Sequence, residues 1–153
     1  MELEEAITII SERGDDEFAR TTLIEAGRDA HDLVLNAFIH PHNRDVYETM
    51  SEVIFLRPDV YFESLLELAD TELEKSPVLW LFGQWKDKRG LPYLLKALES
   101  KDSQIRYMTI LSLRNFLSSQ CNHKEIRPYL EKHLHDRSKD VRFLIQETLK
   151  DFG

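Results

Sequence analysis

The chain has 153 residues, 42% hydrophobic and 31% charged, with a formal net charge of −8. This suits one folded domain with a continuous core and a heavily charged exterior, and argues against a disordered tail. No apolar run approaches the roughly 20 residues that span a bilayer, the start MELEEAITII is acidic where a secretory signal is basic, and the single cysteine, Cys121, forms no internal disulfide; a cytoplasmic, non-membrane protein is expected.

Apolar residues recur at helical spacing almost from end to end, with short polar or proline-containing breaks. The pattern predicts helices over 2–13, 16–26, 29–39, 44–57, 59–70, 74–86, 90–99, 103–118, 124–135 and 139–152, which pair into five antiparallel hairpins. Asp15, Asp16, Asp59 and Ser103 stand where N-terminal caps or first-turn acids belong. Pro58, Pro77, Pro92 and Pro128 are expected near first turns, where a missing N–H does little harm. The short Val60-Tyr61-Phe62 run is rich in strand formers but lies within a helical period.

An internal repeat organises the C-terminal part. Placing Arg106 over Arg142, an offset of 36 residues, sets Leu91-Pro92-Tyr93-Leu94-Leu95-Lys96-Ala97-Leu98 over Arg127-Pro128-Tyr129-Leu130-Glu131-Lys132-His133-Leu134. Ile105-Arg106-Tyr107 falls over Val141-Arg142-Phe143, and Leu113-Arg114-Asn115-Phe116 over Leu149-Lys150-Asp151-Phe152. A repeated hairpin cannot hide its own apolar face, so successive copies stack and share a core. Leu94, Leu98, Ile105, Leu113 and Phe116, and their equivalents Leu130, Leu134, Val141, Leu149 and Phe152, are the expected core positions.

The stretch from Trp80 to Leu98, WLFGQWKDKRGLPYLLKAL, followed by Glu99-Ser-Lys-Asp-Ser-Gln-Ile-Arg106, resembles the HEAT-like repeats of the phycobilisome-lyase type. The resemblance covers residues 74–153; over residues 1–73 the pattern diverges, for Asp45-Val46-Tyr47 lacks the arginine. It implies an all-α, right-handed α-α superhelix spanning residues 1–153 as one domain. It also implies that the acidic turn and the arginine, Asp102 with Arg106 and Asp136 with Arg142, link neighbouring repeats, and that Gly83 permits close helix packing.

The sequence is poor in the constellations that chemistry requires. Glycines at 14, 27, 83, 90 and 153 form no phosphate-binding loop. Cys121 beside His123 in a connecting loop makes a poor nucleophile and base pair. His40 and His42 have no evident third metal ligand, and His133 and His135, two apart on an expected helix, point about 200° from one another. No catalytic residue, metal or cofactor is expected.

Charge and surface suggest a partner instead. Residues 1–76 hold nineteen acids against six bases, and residues 77–153 hold nine acids against fourteen bases. Glu63, Glu67, Asp70, Glu72 and Glu74 form an acidic run suited to a solvated face or to a basic partner. On the second helix of each repeat, Trp80, Tyr107, Ile110, Leu111 and Phe143 are left over once the core is assigned, with Arg114 and Gln146 at the edge. In the resembled fold these helices line the concave surface, and aromatic residues and arginine carry binding energy at protein interfaces.

The leading expectation is a protein-binding adaptor, scaffold or inhibitor. A toxin-neutralising protein for a basic target is a narrower form of it. A bilin lyase-like enzyme or chaperone acting on a pigment-carrying protein is implied by the family alone, and a fold does not carry an activity with it. Nucleic-acid binding through Lys101, Arg106, Arg114, Lys139, Arg142 and Lys150 is disfavoured by the overall negative charge, since affinity for a polyanion depends on neutralising phosphates.

Overall fold

The computed structural model describes residues 1–71, 76–119 and 123–152. Among them the structure is helical, with no strand. The α-helices are α1 (Leu3–Arg13), α2 (Glu17–Ala26), α3 (His31–Ile39), α4 (Arg44–Leu56), α5 (Pro58–Thr71), α6 (Ser76–Trp85), α7 (Leu91–Ala97), α8 (Ser103–Ser118), α9 (His123–Lys132) and α10 (Lys139–Phe152), with 3₁₀ turns at Gly27–Ala30 and Lys88–Gly90. Each expected segment holds a helix. The backbone groups into two compact units, Met1–Leu65 and Leu66–Gly153; the division falls inside α5, ahead of residue 74 where the repeat pattern becomes clear.

In the first unit, α1 packs on α2 and α4, α2 on α4, and α3 on α4. The α4 sequence explains its central place: Val46, Thr49, Met50, Val53 and Ile54 are buried at i, i+3, i+4, i+7 and i+8, a single stripe of the helix. Asn43 caps α4, its Oδ1 accepting the Val46 N–H at 3.0 Å while its Nδ2 donates to the Ser11 carbonyl at 2.8 Å, so one side chain starts a helix and ties it to α1. Asp16 caps α2 by accepting the Ala19 N–H at 2.8 Å. That helix ends at Gly27, whose φ of +56° suits a residue without a Cβ. There Arg57 donates to the Ile24 carbonyl at 2.7 Å and grips Asp59 at 3.0 and 2.9 Å. Asp59 therefore sits in the first turn of α5 without capping it.

In the second unit α8 is the hub, packed by α6, α7, α9 and α10. Its most extensive packing is against α6, and Gly83 permits it: a Cβ built there would lie 2.6 Å from Ser112 Cβ and 2.8 Å from Ser112 Cα. The cap of α8 is Asp102, which accepts the Gln104 N–H at 2.9 Å, with Ser103 as the first helical residue. Pro58, Pro77 and Pro92 stand at the starts of α5, α6 and α7. Pro128 does not: it lies inside α9, beyond the first turn where the sequence pattern puts it.

The expected core positions Leu94, Leu98, Ile105, Leu113 and Phe116 are buried, as are Leu130 and Val141. Leu134, Leu149 and Phe152 are only half-buried, although their equivalents one repeat earlier are enclosed.

Candidate interaction surface

Arg106 and Asp136 set the register between α8 and the turn before α10. Arg106 Nε and Nη2 each donate to a carboxylate oxygen of Asp136 at 2.8 Å, while its Nη1 donates to the Ser100 and Lys101 carbonyls at 2.9 and 3.2 Å. The two side chains are 11% and 5% exposed. Arginine and acidic turn thus link neighbouring hairpins, but the partners differ from those expected. Asp102 is engaged as a helix cap, so Arg106 reaches across to Asp136, and Arg142 donates to the Asp136 and Arg137 carbonyls at 2.6 and 3.2 Å. Burial raises the Asp136 carboxyl, but the Arg106 hydrogen bonds, the Ser138 N–H and the charges of Arg106 and His133 outweigh it, leaving the group below the ordinary carboxylate range.

Beside this link, the second helices carry the apolar side chains singled out from the sequence. Trp80 on α6 is 39% exposed, Tyr107 and Leu111 on α8 are each 37% exposed, and Phe143 on α10 is 63% exposed. Tyr107 and Leu111 are four residues apart and share a face of α8. Between α8 and α10 runs a groove of about 510 Å³ lined by Ser103, Gln104, Tyr107, Met108, Ser138, Asp140 and Phe143. Gln146 is exposed on α10.

Two of the seven residues behave otherwise. Ile110 is fully buried and belongs to the core, because α8 is surrounded by four helices and hides more of its circumference than a two-sided helix. Arg114 faces within the fold: it donates to Thr148 Oγ1 at 2.9 Å and Asp151 at 2.8 Å, and lies 5.2 Å over the Phe152 ring. With Arg106 also engaged, two of the six cations named for nucleic-acid binding serve contacts between helices. Lys101, Lys139 and Lys150 are exposed.

His133 and His135 lie past the end of α9 at Lys132, so the helical angle between them does not apply. Both line a cleft of about 600 Å³ with Glu99, Lys101, Arg106 and Asp136 among others. Glu99 receives Lys132 Nζ at 3.1 Å and lies 3.0 Å from His133 Nε2. Hydrogen bonds from Lys132 first and His133 second hold it below the ordinary carboxylate range. No group of three or more His, Cys, Asp or Glu among the described residues could hold a metal ion, and His40 and His42 are exposed. Cys121, Glu72 and Glu74 lie outside the described residues. His123 has both ring nitrogens 2.9 Å from backbone carbonyls, those of Phe152 and Leu117, so the imidazole ties α8 to the end of α10.

The structure also brings together three residues that sequence reasoning missed. His31 Nδ1 is 2.7 Å from Asp32 Oδ1, and its Nε2 is 2.7 Å from Ser64 Oγ. The order carboxylate, imidazole, hydroxyl is that of an acyl-transfer triad. Ser64, however, lies within α5, where neighbouring N–H groups are taken up by helix bonds, so no backbone donors converge on a developing oxyanion. The arrangement joins α3 to α5, with the imidazole stacked on Tyr61 at 5.6 Å. Only the 33-residue separation of His31 and Ser64 kept it from view.

Among the described residues the chain is helical, a buried arginine–aspartate pair links neighbouring hairpins, and Tyr107 and Phe143 line an exposed groove between α8 and α10. The chain matches no known family model and no curated protein. Among the described residues, no helix is long and apolar enough to cross a membrane.

Proposed function

We propose that the chain is a HEAT-like solenoid of the phycobilisome-lyase repeat type and serves as a protein-binding adaptor, scaffold or inhibitor. The observation that carries this reading is the placement of exposed apolar bulk. Of the eight large hydrophobic side chains exposed among the described residues, four (Trp80, Tyr107, Leu111 and Phe143) lie on α6, α8 and α10. Tyr107 and Phe143 line a groove together with the polar side chains of Ser103, Gln104 and Ser138, the mixture of aromatic anchors and polar groups that protein interfaces use. Asp140 at the groove suits a basic residue on the partner. Both aromatics are exposed, so replacing them leaves the core intact. Affinity purification with the wild type and with a Tyr107→Ser, Phe143→Ser double variant tests the reading: a stoichiometric partner retained by the first and lost by the second is expected. Equal capture by both overturns it.

A further inference from the structure

The cleft between two inter-helix turns of the second unit carries an excess of positive charge. It encloses about 600 Å³ between the turn that follows α7 and the turn that follows α9. Among the described residues four permanent cations line it, Lys101, Arg106, Lys132 and Arg137, against two carboxylates, Glu99 and Asp136. Both carboxylates are already engaged. Asp136 accepts two hydrogen bonds from Arg106, and Glu99 accepts one from Lys132 Nζ and lies against His133 Nε2. Asp102, next to Lys101 in the chain, does not line the cleft and caps α8 instead.

The cations left over are Lys101 and Arg137, one from each turn, with the His135 imidazole close by. All three side chains are exposed, and among the described residues none of them makes a hydrogen bond or an ion pair. Cations near helix ends ordinarily serve the last carbonyls of the helix. Here those carbonyls have other donors. Lys96 and Ala97 at the end of α7 accept the Glu99 and Ser100 N–H at 3.0 and 3.1 Å, and Leu130 and Glu131 at the end of α9 accept the His133 and Leu134 N–H at 3.0 and 3.2 Å. Within the turns, Arg106 holds the Ser100 and Lys101 carbonyls and Arg142 those of Asp136 and Arg137. The acceptors that would repel an anion are therefore occupied, while the charges of Lys101 and Arg137 are unanswered.

We infer that this cleft binds a phosphate monoester, either as a small anion or carried on a side chain of a protein. A dianion matches the two fixed cations, Lys101 acting as a point charge and Arg137 as a fork for two oxygens, and His135 adds an N–H in either tautomer. The volume lies within the range of about 300–1,000 Å³ typical of small-molecule sites, which leaves room for the group that bears the phosphate. A carboxylate or a phosphodiester brings a single charge and leaves one cation unmatched. The inference does not rest on the apolar groove between α8 and α10, so the two stand or fall separately.

Proton–nitrogen correlation spectra of the full chain, titrated with sodium phosphate at neutral pH against sodium chloride of matched ionic strength, are the experiment. Phosphate should shift the amides of Lys101, His135 and Arg137 along saturating curves that chloride does not reproduce. Lys101→Gln and Arg137→Gln should each weaken binding about fivefold and together abolish it, while Lys150→Gln, on α10 and outside the cleft, should leave it unchanged. Both cleft residues are exposed and unengaged, so the variants keep the fold, which the unshifted remainder of the spectrum verifies. A phosphoserine peptide and its unphosphorylated form identify the source. Tighter binding of the phosphopeptide than of inorganic phosphate places the group on a protein, equal binding makes it a small anion, and in both cases the unphosphorylated peptide stays unbound. Shifts that chloride matches or that never saturate, undiminished binding by the double variant, or a single-stranded oligonucleotide that binds more tightly than the phosphopeptide overturns the inference.

Discussion

Replacing Gly83 by alanine tests the close approach of α6 to α8. In an open helix the change would stabilise by about 1 kcal/mol, since glycine is the poorer helix former. Here the added methyl meets Ser112 Cβ at 2.6 Å, Cα at 2.8 Å and Oγ at 2.9 Å, whereas carbon atoms that touch settle at about 3.5–4.0 Å. One of these three atoms belongs to the backbone, so a rotamer change at Ser112 cannot relieve the crowding and α6 must move off α8 by roughly 1 Å. Overpacking of this kind costs about 1–3 kcal/mol, with backbone shifts towards the top of the range. Set against the gain in propensity, the expected net loss is about 1–2 kcal/mol, or a few degrees in melting temperature for a chain of this size. Urea denaturation followed by circular dichroism reads it, as a fall in midpoint at unchanged slope. Adding Ser112→Gly removes the clashing side-chain atoms and leaves only the crowding against the backbone of α8, so the double variant should lose less than the sum of the two single losses. A Gly83→Ala protein as stable as the wild type, or strict additivity in the cycle, would refute the close-approach argument.

The buried link predicts its own pH response. Asp136→Asn should cost about 3–5 kcal/mol at neutral pH, because Arg106 is left buried without its counter-charge. The Asp136 carboxyl lies below its ordinary value of 3.8, so its contribution is present above that pH and fades as pH falls through the folded value. Urea titrations should therefore find the gap between wild type and variant narrowing below about pH 4. At the other extreme, burial pushes the Tyr61 hydroxyl up to about 12. Its contribution is present below the ordinary 10.0 and is lost as pH rises through about 12, which near-ultraviolet absorbance should show as tyrosine ionisation that is still incomplete well above pH 10. Among the described residues the same hydroxyl is buried without a hydrogen-bond partner, so Tyr61→Phe should leave stability unchanged or raise it by on the order of 1 kcal/mol, measured by the same denaturation.

The helices are legible in the sequence because their apolar spacing and capping residues are local signals. Val46, Met50 and Val53 announce α4 from within thirteen residues, and Gly83 reads as a close approach because glycine inside a helix needs a reason. What escapes the sequence depends on neighbours far along the chain. Ile110 reads as surface because the repeat alignment assigns one core face to α8, while four helices surround it. Asp102 matches Arg106 by closeness in sequence, yet local capping claims Asp102 and an acid thirty residues on takes its place. Arg114 has the composition of an interface residue, and only the geometry of Thr148, Asp151 and Phe152 turns it inward. The apolar stripe is half legible: Tyr107, Leu111 and Phe143 are exposed, but a groove between two helices is a property of their spacing.

The Arg106–Asp136 link has a bearing on how such a chain can change length. Arg106 and Arg142, 36 residues apart, each hold the carbonyls of their own turn, so adding or deleting one whole repeat of that length preserves the contact. Arg142 already makes the carbonyl half of that contact, so a duplicated hairpin placed after α10 needs little more than one acid in its turn to join the series. The same chemistry that holds two neighbours together thus sets the unit in which the molecule can grow.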